Sequence, residues 1–239
     1  MDVTERLTIA FADAGAGLQG VAIAGVGTLL ALGERLTVAP PPQLTGDDGA
    51  WLLSAGDAYE LALEAGGDAA ALADGTRIWL CRATGTVGAQ QLSGLATLSR
   101  GPAGADAVER SIAILFEDQL GFALTARGPR GERGHDAEQL EAVSFRGEPL
   151  EPATIEKPRL STTFDADGRL TRAGIELWET ADAEFALRIG GETLADGELL
   201  HPDGARTQIA FVSWHHDGHR GPGSYAITTP ALALASLPA

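Results

Sequence analysis

Apolar and polar residues alternate along much of the chain, and the period-two pattern of strands recurs more often than the i, i+3, i+4 spacing of amphipathic helices. The clearest case is residues 159–164, RLSTTF, then the turn Asp165-Ala166-Asp167-Gly168, then residues 169–178, RLTRAGIELW. β-Branched and aromatic residues on both sides of an Asp-Gly turn predict a hairpin. In its second strand Ala173, Ile175 and Leu177 share one face, and Glu176 and Trp178 the other.

The pattern continues through 185–189, a turn at Gly190-Gly191, a turn at Pro202-Asp203-Gly204, and a strand at 207–214. Asp217-Gly218 and Gly221-Pro222-Gly223 predict further turns before a strand at 224–229. Upstream, 111–116 and 122–126 read as strands around Glu117-Asp118-Gln119, and 128–135 as a polar loop. Ala, Leu and Glu content predicts two short helices, over 57–65 with Asp57 as cap and over 106–114. The chain is expected to be all-β, folded as an antiparallel meander.

A repeat adds a two-part expectation. Residues 6–15, RLTIAFADAG, lie over 159–168, RLSTTFDADG, with Arg, Leu, Phe and Gly coinciding; one gap then places Leu18 and Ile23 on Leu170 and Ile175. The segment Gly101-Pro102-Ala103-Gly104-Ala105-Asp106 has linker composition, so the expected halves are 1–103 and 107–239.

Composition narrows the function classes. A net charge of −16 argues against nucleic acid and anionic membranes as partners. No apolar run reaches the roughly 18–20 residues of a membrane helix, so no integral membrane segment is expected. Acidic residues at Asp2 and Glu5, where a secretory leader carries basic ones, point to the cytoplasm. The one cysteine, Cys81, excludes an intrachain disulfide and a cysteine metal cluster, and in its strand context reads as a buried structural thiol.

Few motifs carry chemistry. His215-His216-Asp217-Gly218-His219 has ligand-type residues, but Gly218 and Gly221-Pro222-Gly223 deny a helix, and adjacent strand histidines point oppositely, so no metal is expected there. Gly25-Val26-Gly27 has Leu30 where a dinucleotide fingerprint needs its third glycine, and no Gly-x-Ser-x-Gly elbow exists; no cofactor is expected. Glu176, facing with Trp178, and Glu60, beside Tyr59, are carboxylates near aromatics. A carboxyl held against an aromatic in a dry cavity has a raised pKa and can protonate an alkene or carbonyl. Glu176 is the candidate acid, and an outward-facing glutamate on a half-wet sheet is the competing reading. Trp51, Trp79, Trp178, Trp214 and Tyr59 are candidates to line an apolar cavity, against ordinary core packing.

The C-terminal run Leu160-Ser161-Thr162-Thr163-Phe164-Asp165-Ala166-Asp167-Gly168, Ala173-Gly174-Ile175-Glu176-Leu177-Trp178, Phe211-Val212-Ser213-Trp214 and Gly218-His219-Arg220-Gly221-Pro222-Gly223-Ser224-Tyr225 resembles the lipocalin-like superfamily of hydroxyneurosporene synthase (carotenoid hydratase) and tocopherol cyclase-like proteins. Cys81-Arg82-Ala83-Thr84-Gly85-Thr86-Val87, leading to Ser93-Gly94-Leu95-Ala96, is similar to the closing strands of that family's first barrel. The resemblance implies an all-β fold of two tandem lipocalin-like antiparallel barrels, one of them abridged because the chain is shorter than typical members, or two strongly curved sheets packed together, with a single large β-sandwich as the alternative. It also implies a hydrophobic small molecule, isoprenoid- or lipid-like, as partner, with cofactor-independent acid-catalysed hydration or cyclisation as the activity if the protein is an enzyme. The competing function is a noncatalytic structural or interaction domain whose barrels are filled by their own side chains.

Overall fold

Ile9, Ala10, Phe11 and Ala12 are all buried, although strand side chains alternate between faces. Their strand must therefore be covered on both sides, and its neighbours show how. Ile9 and Phe11 join one apolar cluster inside a curled sheet, while Ala10 and Ala12 face a second sheet.

In this computed structural model, residues 5–47, 49–102, 107–116, 120–129, 135, 137–180 and 182–231 are described. They form the strands β1 (Glu5–Asp13), β2 (Leu18–Ile23), β3 (Gly27–Leu32), β4 (Arg35–Ala39), β5 (Gln43–Asp47), β6 (Ala50–Ser54), β7 (Tyr59–Ala65), β8 (Ala70–Ala71), β9 (Arg77–Val87) and β10 (Gln90–Pro102). There follow β11 (Val108–Phe116), β12 (Leu120–Gly128), β13 (Gln139–Arg146), β14 (Glu151–Ile155), β15 (Lys157–Phe164), β16 (Leu170–Trp178), β17 (Leu187–Leu200), β18 (Arg206–His216) and β19 (His219–Thr229). The first sheet runs β4-β3-β2-β1-β10-β9-β7-β6-β5, with β8 on β9, and the second runs β14-β13-β12-β11-β19-β18-β17-β16-β15. Every ladder is antiparallel. The fold is two strongly curved half-barrels packed together, with no helix among the described residues.

The two strand orders coincide when β1–β4 are laid on β11–β14, and β5, β6, β7, β9 and β10 on β15–β19. This corrects the repeat read from the sequence, which laid β1 on β15. β1 pairs with β10 in mid-sheet, and its counterpart β11 pairs with β19, whereas β15 is an edge strand. In both sheets the two edge strands are consecutive in the chain, β4–β5 and β14–β15, so each sheet curls until its edges meet at a corner. Pro40, Pro41 and Pro42 form the first corner, where the missing N–H groups suit an unpaired edge.

Other expectations change for readable reasons. The helix expected over 57–65 is a turn followed by β7, whose Tyr59, Leu61 and Leu63 are buried while Glu60, Ala62 and Glu64 are exposed; packing on β6 and β9 overrides helix propensity. From Val108 onward the second expected helix is β11, and Asp106 lies outside the described residues. So do 103–106 of the linker, the turn 117–119, and 130–134 of the polar loop. Gly190-Gly191 is no turn but lies inside β17, where a Cβ on Gly191 would collide with the Trp214 ring across the ladder. Gly221-Pro222-Gly223 likewise lies inside β19: Cβ atoms on these glycines would collide with the carbonyl oxygens of Leu115 and Ala113 on β11. Those glycines serve close strand approach, not reversal.

Two clusters weld the sheets. Ala10, Val21 and Leu29 of the first sheet pack on Ala113, Ile209 and Phe211 of the second, and Ala12, Ile78 and Leu80 pack on Leu115, Val143 and Phe145. Beside them Glu109 takes Arg6 and Arg127 (3.2 Å), Arg127 also reaches Asp74 at 2.7 Å, and its Nη2 donates to the Pro102 carbonyl at 3.1 Å. This polar end encloses a cavity of about 60 Å³.

Candidate ligand site

The inner faces of the two sheets differ. The first is filled by Ile9, Phe11, Trp51, Leu53, Leu61 and Leu98 among others, all buried. Its one buried phenol is satisfied: Tyr59 Oη shares a hydrogen bond of 2.8 Å with Thr28 Oγ1, and burial pushes its pKa up to about 12.

The second sheet has an apolar inner face too, from Ile112, Ile114 and Phe116 of β11 to Val212 and Trp214 of β18. At one end it opens into a cavity of about 360 Å³. Leu170, Ala210, Tyr225 and Ile227 supply apolar lining, and Asp167, Arg169, Asp196, Glu198 and Gln208 the polar part. Arg169 reaches Asp196 at 3.6 Å, and Arg206 reaches Glu198 at 3.7 Å. Tyr225 is 1% exposed, and its hydroxyl has no hydrogen-bond partner.

Charged groups surround that phenol. Arg110 lies two residues before Ile112 on β11, in the register that points inward, and the ladder places Ile112 opposite Tyr225. Arg110 Nε and Nη2 each reach Glu138 Oε1 at 2.7 Å. The other carboxylate oxygen meets His135 Nδ1 at 2.6 Å, and His135 Nε2 meets Thr162 Oγ1 of β15 at 2.9 Å. Burial opposes charge on both Arg110 and Glu138, but their mutual hydrogen bond and attraction win, so Arg110 is held above its ordinary pKa and Glu138 below its own. For Tyr225 burial dominates and pushes the pKa up to about 12, although the Arg110 charge works the other way.

The residues singled out from sequence do not converge. Glu176, the candidate acid, is on the outer face of β16, as the competing reading had it, with its side chain 37% exposed and Oε1 3.2 Å from Arg188 Nε; the inward positions are Ala173, Ile175 and Leu177. Trp178 shares that outer face, with the Arg159 guanidinium 5.0 Å over its ring. Trp51 and Trp79 meet edge-on at 5.4 Å on the inner side of the first sheet, where Tyr59 also lies. Trp214 alone is inside the second sheet, with Nε1 unpartnered. The histidine motif forms the β18–β19 hairpin, with Asp217 and Gly218 both at positive φ (47° and 82°), as a two-residue type I′ turn requires; His216 Nδ1 bonds the Arg188 carbonyl at 2.9 Å.

The residues missed are Tyr225, Arg110 and Glu138. For Arg110 a signal existed: it occupies the same alternating register as Ile112 and Ile114, where a cation has no business unless paired. Glu138 sits in a connection, and nothing in its spacing announces the partner.

Another opening of about 360 Å³ lies outside, lined by residues including Asp13, Gln19, Leu194, Arg220 and Pro222. Its Gln19 Oε1 already accepts from Gly223 N.

Two curled antiparallel sheets of matching strand order, with apolar inner faces and an opening into one of them, define a tandem lipocalin-like fold. The solved structures bear this out. Kievitone hydratase from Nectria haematococca matches over 95% of this chain and 89% of its own, with a TM-score of 0.57 and 11% identity. A protein from Nitrosomonas europaea, provisionally assigned as AttH, matches over 95% and 93%, with a TM-score of 0.59 and 11% identity. At that identity the likeness is one of fold. No protein-family model and no curated protein sequence matches the chain.

Proposed function

We propose that this protein binds a hydrophobic small molecule inside its second curled sheet. The observation that carries the reading is the cavity of about 360 Å³ at one end of the second sheet's apolar inner face, with Leu170, Ala210, Tyr225 and Ile227 in its lining, a volume within the ordinary range for small-molecule sites. The fold shared with a protein named as a hydratase supports the same class of partner. Binding is the better-supported part, and a hydration or cyclisation step is the further part. Glu176, on the outer face beside Arg188, is not given the acid's place in this cavity.

The noncatalytic reading is favoured for the first sheet, whose Tyr59 is satisfied and whose inner face is filled by its own side chains. Native mass spectrometry of protein purified from its own host tests the proposal. A co-purifying lipophile that is lost on Ala210→Trp, a substitution that fills the cavity, supports it. A mass equal to the bare chain, with no binding of added lipophiles, overturns it. If a lipophile is found, its turnover by Glu176→Gln protein decides whether that carboxyl acts as the acid.

A further inference from the structure

Where the two sheets face each other, three strands carry apolar residues at alternate positions and then change character at the same end. On β2 the row Ile23, Val21 ends in Gln19, and on β18 the row Ile209, Phe211 ends in Ser213. On β19 Ala226 gives way to Ser224, Pro222 and Arg220. The seam opens there into the outer cleft of about 360 Å³, between the β1–β2 and β3–β4 turns on one side and β17, β18 and β19 on the other.

A break in the ladder brings Leu194 into this cleft. β17 pairs Thr193 with Val212 and then Ala195 with Phe211, so Leu194 is the extra residue of a bulge, a device that redirects a side chain. It is 55% exposed, and with Pro222 it gives the cleft an apolar wall.

Two donors stand beside that wall. Gln19 is only 7% exposed, and a backbone N–H can only donate, so the amide atom that meets Gly223 N at 3.1 Å is the oxygen, and Nε2 is left over. Nε2 has no hydrogen bond among the described residues. Nor is it one of the unpartnered atoms sealed from solvent, which are Thr193 Oγ1, Trp214 Nε1 and Tyr225 Oη, so it meets solvent through the cleft that Gln19 lines. Arg220 pairs with no acid among the described residues, although acids outnumber bases 33 to 17 in the chain.

The acids of the cleft restrict the choice. Asp13 is engaged by backbone, with Oδ1 accepting from Ala16 N at 2.9 Å and Oδ2 from Ser93 N at 2.8 Å, and Glu34 is exposed at the rim. Their charges disfavour a ligand with more than one acid group.

We infer that this cleft binds a small monocarboxylate with an apolar body, the carboxylate accepting from Arg220 and Gln19 Nε2 and the body lying on Leu194 and Pro222. The site is outside both inner faces and independent of the ligand reading above. Because Gln19 belongs to one sheet and Arg220 to the other, the bound acid bridges them.

The test is a titration of the full ¹⁵N-labelled chain, followed by NMR at the Gln19 side-chain amide, whose signals are assigned by their loss in Gln19→Glu protein. The probes are 3-phenylpropanoate, its neutral amide 3-phenylpropanamide, propanoate and 2-phenylsuccinate. 3-Phenylpropanoate is expected to shift the Gln19 signals saturably and to bind about fivefold more tightly than the amide, the ratio expected of an exposed ion pair. Propanoate, without the ring, and phenylsuccinate, with a second acid group, should both bind more weakly. Arg220→Gln removes an exposed, unpaired cation, so the protein should keep its melting temperature while losing the preference for acid over amide. Leu194→Ser should weaken acid and amide alike, by about fivefold. Gln19 signals that stay unmoved, equal binding of acid and amide, or a preference that survives Arg220→Gln overturns the inference. Tighter binding of phenylsuccinate overturns its limit to one acid group.

Discussion

Gln19, on β2 of the first sheet, accepts a buried hydrogen bond at 3.1 Å from the backbone N–H of Gly223, on β19 of the second. The bond joins residues 204 positions apart and stitches together sheets that otherwise meet largely through apolar side chains. Replacing Gln19 by Leu removes the acceptor and leaves a buried N–H without a partner, a loss of about 1–3 kcal/mol. Urea unfolding should show that loss as a lower midpoint. Unchanged stability would mean that the Gly223 N–H finds another acceptor.

A second tie is ionic. Glu109 of β11 is paired with Arg6 of β1 and with Arg127 of β12, and Arg127 reaches across to Asp74. Glu109→Gln leaves two guanidinium groups facing each other at the sheet junction. Because both arginines retain some contact with water, the cost should be about 2 kcal/mol, below the roughly 3–5 of a fully buried pair. Exposed pairs such as Arg172–Glu192 should contribute less than about 1 kcal/mol. Thermal melts of Glu109→Gln and Glu192→Gln side by side would check the ranking.

Acid should lower the stability of the protein over two pH ranges. Burial holds His201 below its ordinary 6.5, opposed by Asp203 and aided by Arg6, so the folded state resists protonation there. Its contribution is complete above 6.5 and declines as the pH falls below it. Glu138, held below its ordinary 4.5, contributes fully above that value and loses its effect as the pH falls through its lower folded-state pKa. Stability measured against pH should show both declines, and His201→Gln should remove the first.

Cys81 should be chemically silent. It is fully buried on the inner side of β9, and burial pushes its thiol pKa up to about 12, leaving almost no thiolate at neutral pH. Iodoacetamide at about pH 8 is expected to leave the native protein unmodified and to alkylate one site in urea. Rapid labelling of the native chain would show that β9 opens.

Much of the strand content was legible because alternation is a local property. Residues 169–178 carry their inner and outer faces in the spacing of Ala173, Ile175 and Leu177, and the Asp217-Gly218 turn is written in its residue types. Where local propensity and packing disagreed, propensity misled. The stretch 57–65 is rich in helix formers and is mostly strand, because Tyr59, Leu61 and Leu63 complete the inner face of the first sheet. Glycine misled in another way. Gly190-Gly191 and Gly221-Pro222-Gly223 look like punctuation, but they are places where a ring or a neighbouring carbonyl comes too close for a Cβ.

The candidate site was less legible because its parts are far apart in the chain. Tyr225, Arg110, Glu138 and Thr162 come from three strands and a connection, and no spacing rule joins them. Glu176 and Trp178 were conspicuous by type and neighbourhood, yet both face outward.

The amino-acid sequence by itself determined an all-β chain, its turns of special backbone geometry and its acidity, because each depends on residue type and short-range order. Only the tertiary structure decided which strands are counterparts in the two sheets, and which sheet holds a cavity. It alone decided that a tyrosine and an arginine more than a hundred residues apart share one interior. Those outcomes depend on which face of each strand turns inward when the sheet curls, and curling is a property of the whole ladder rather than of any segment in it.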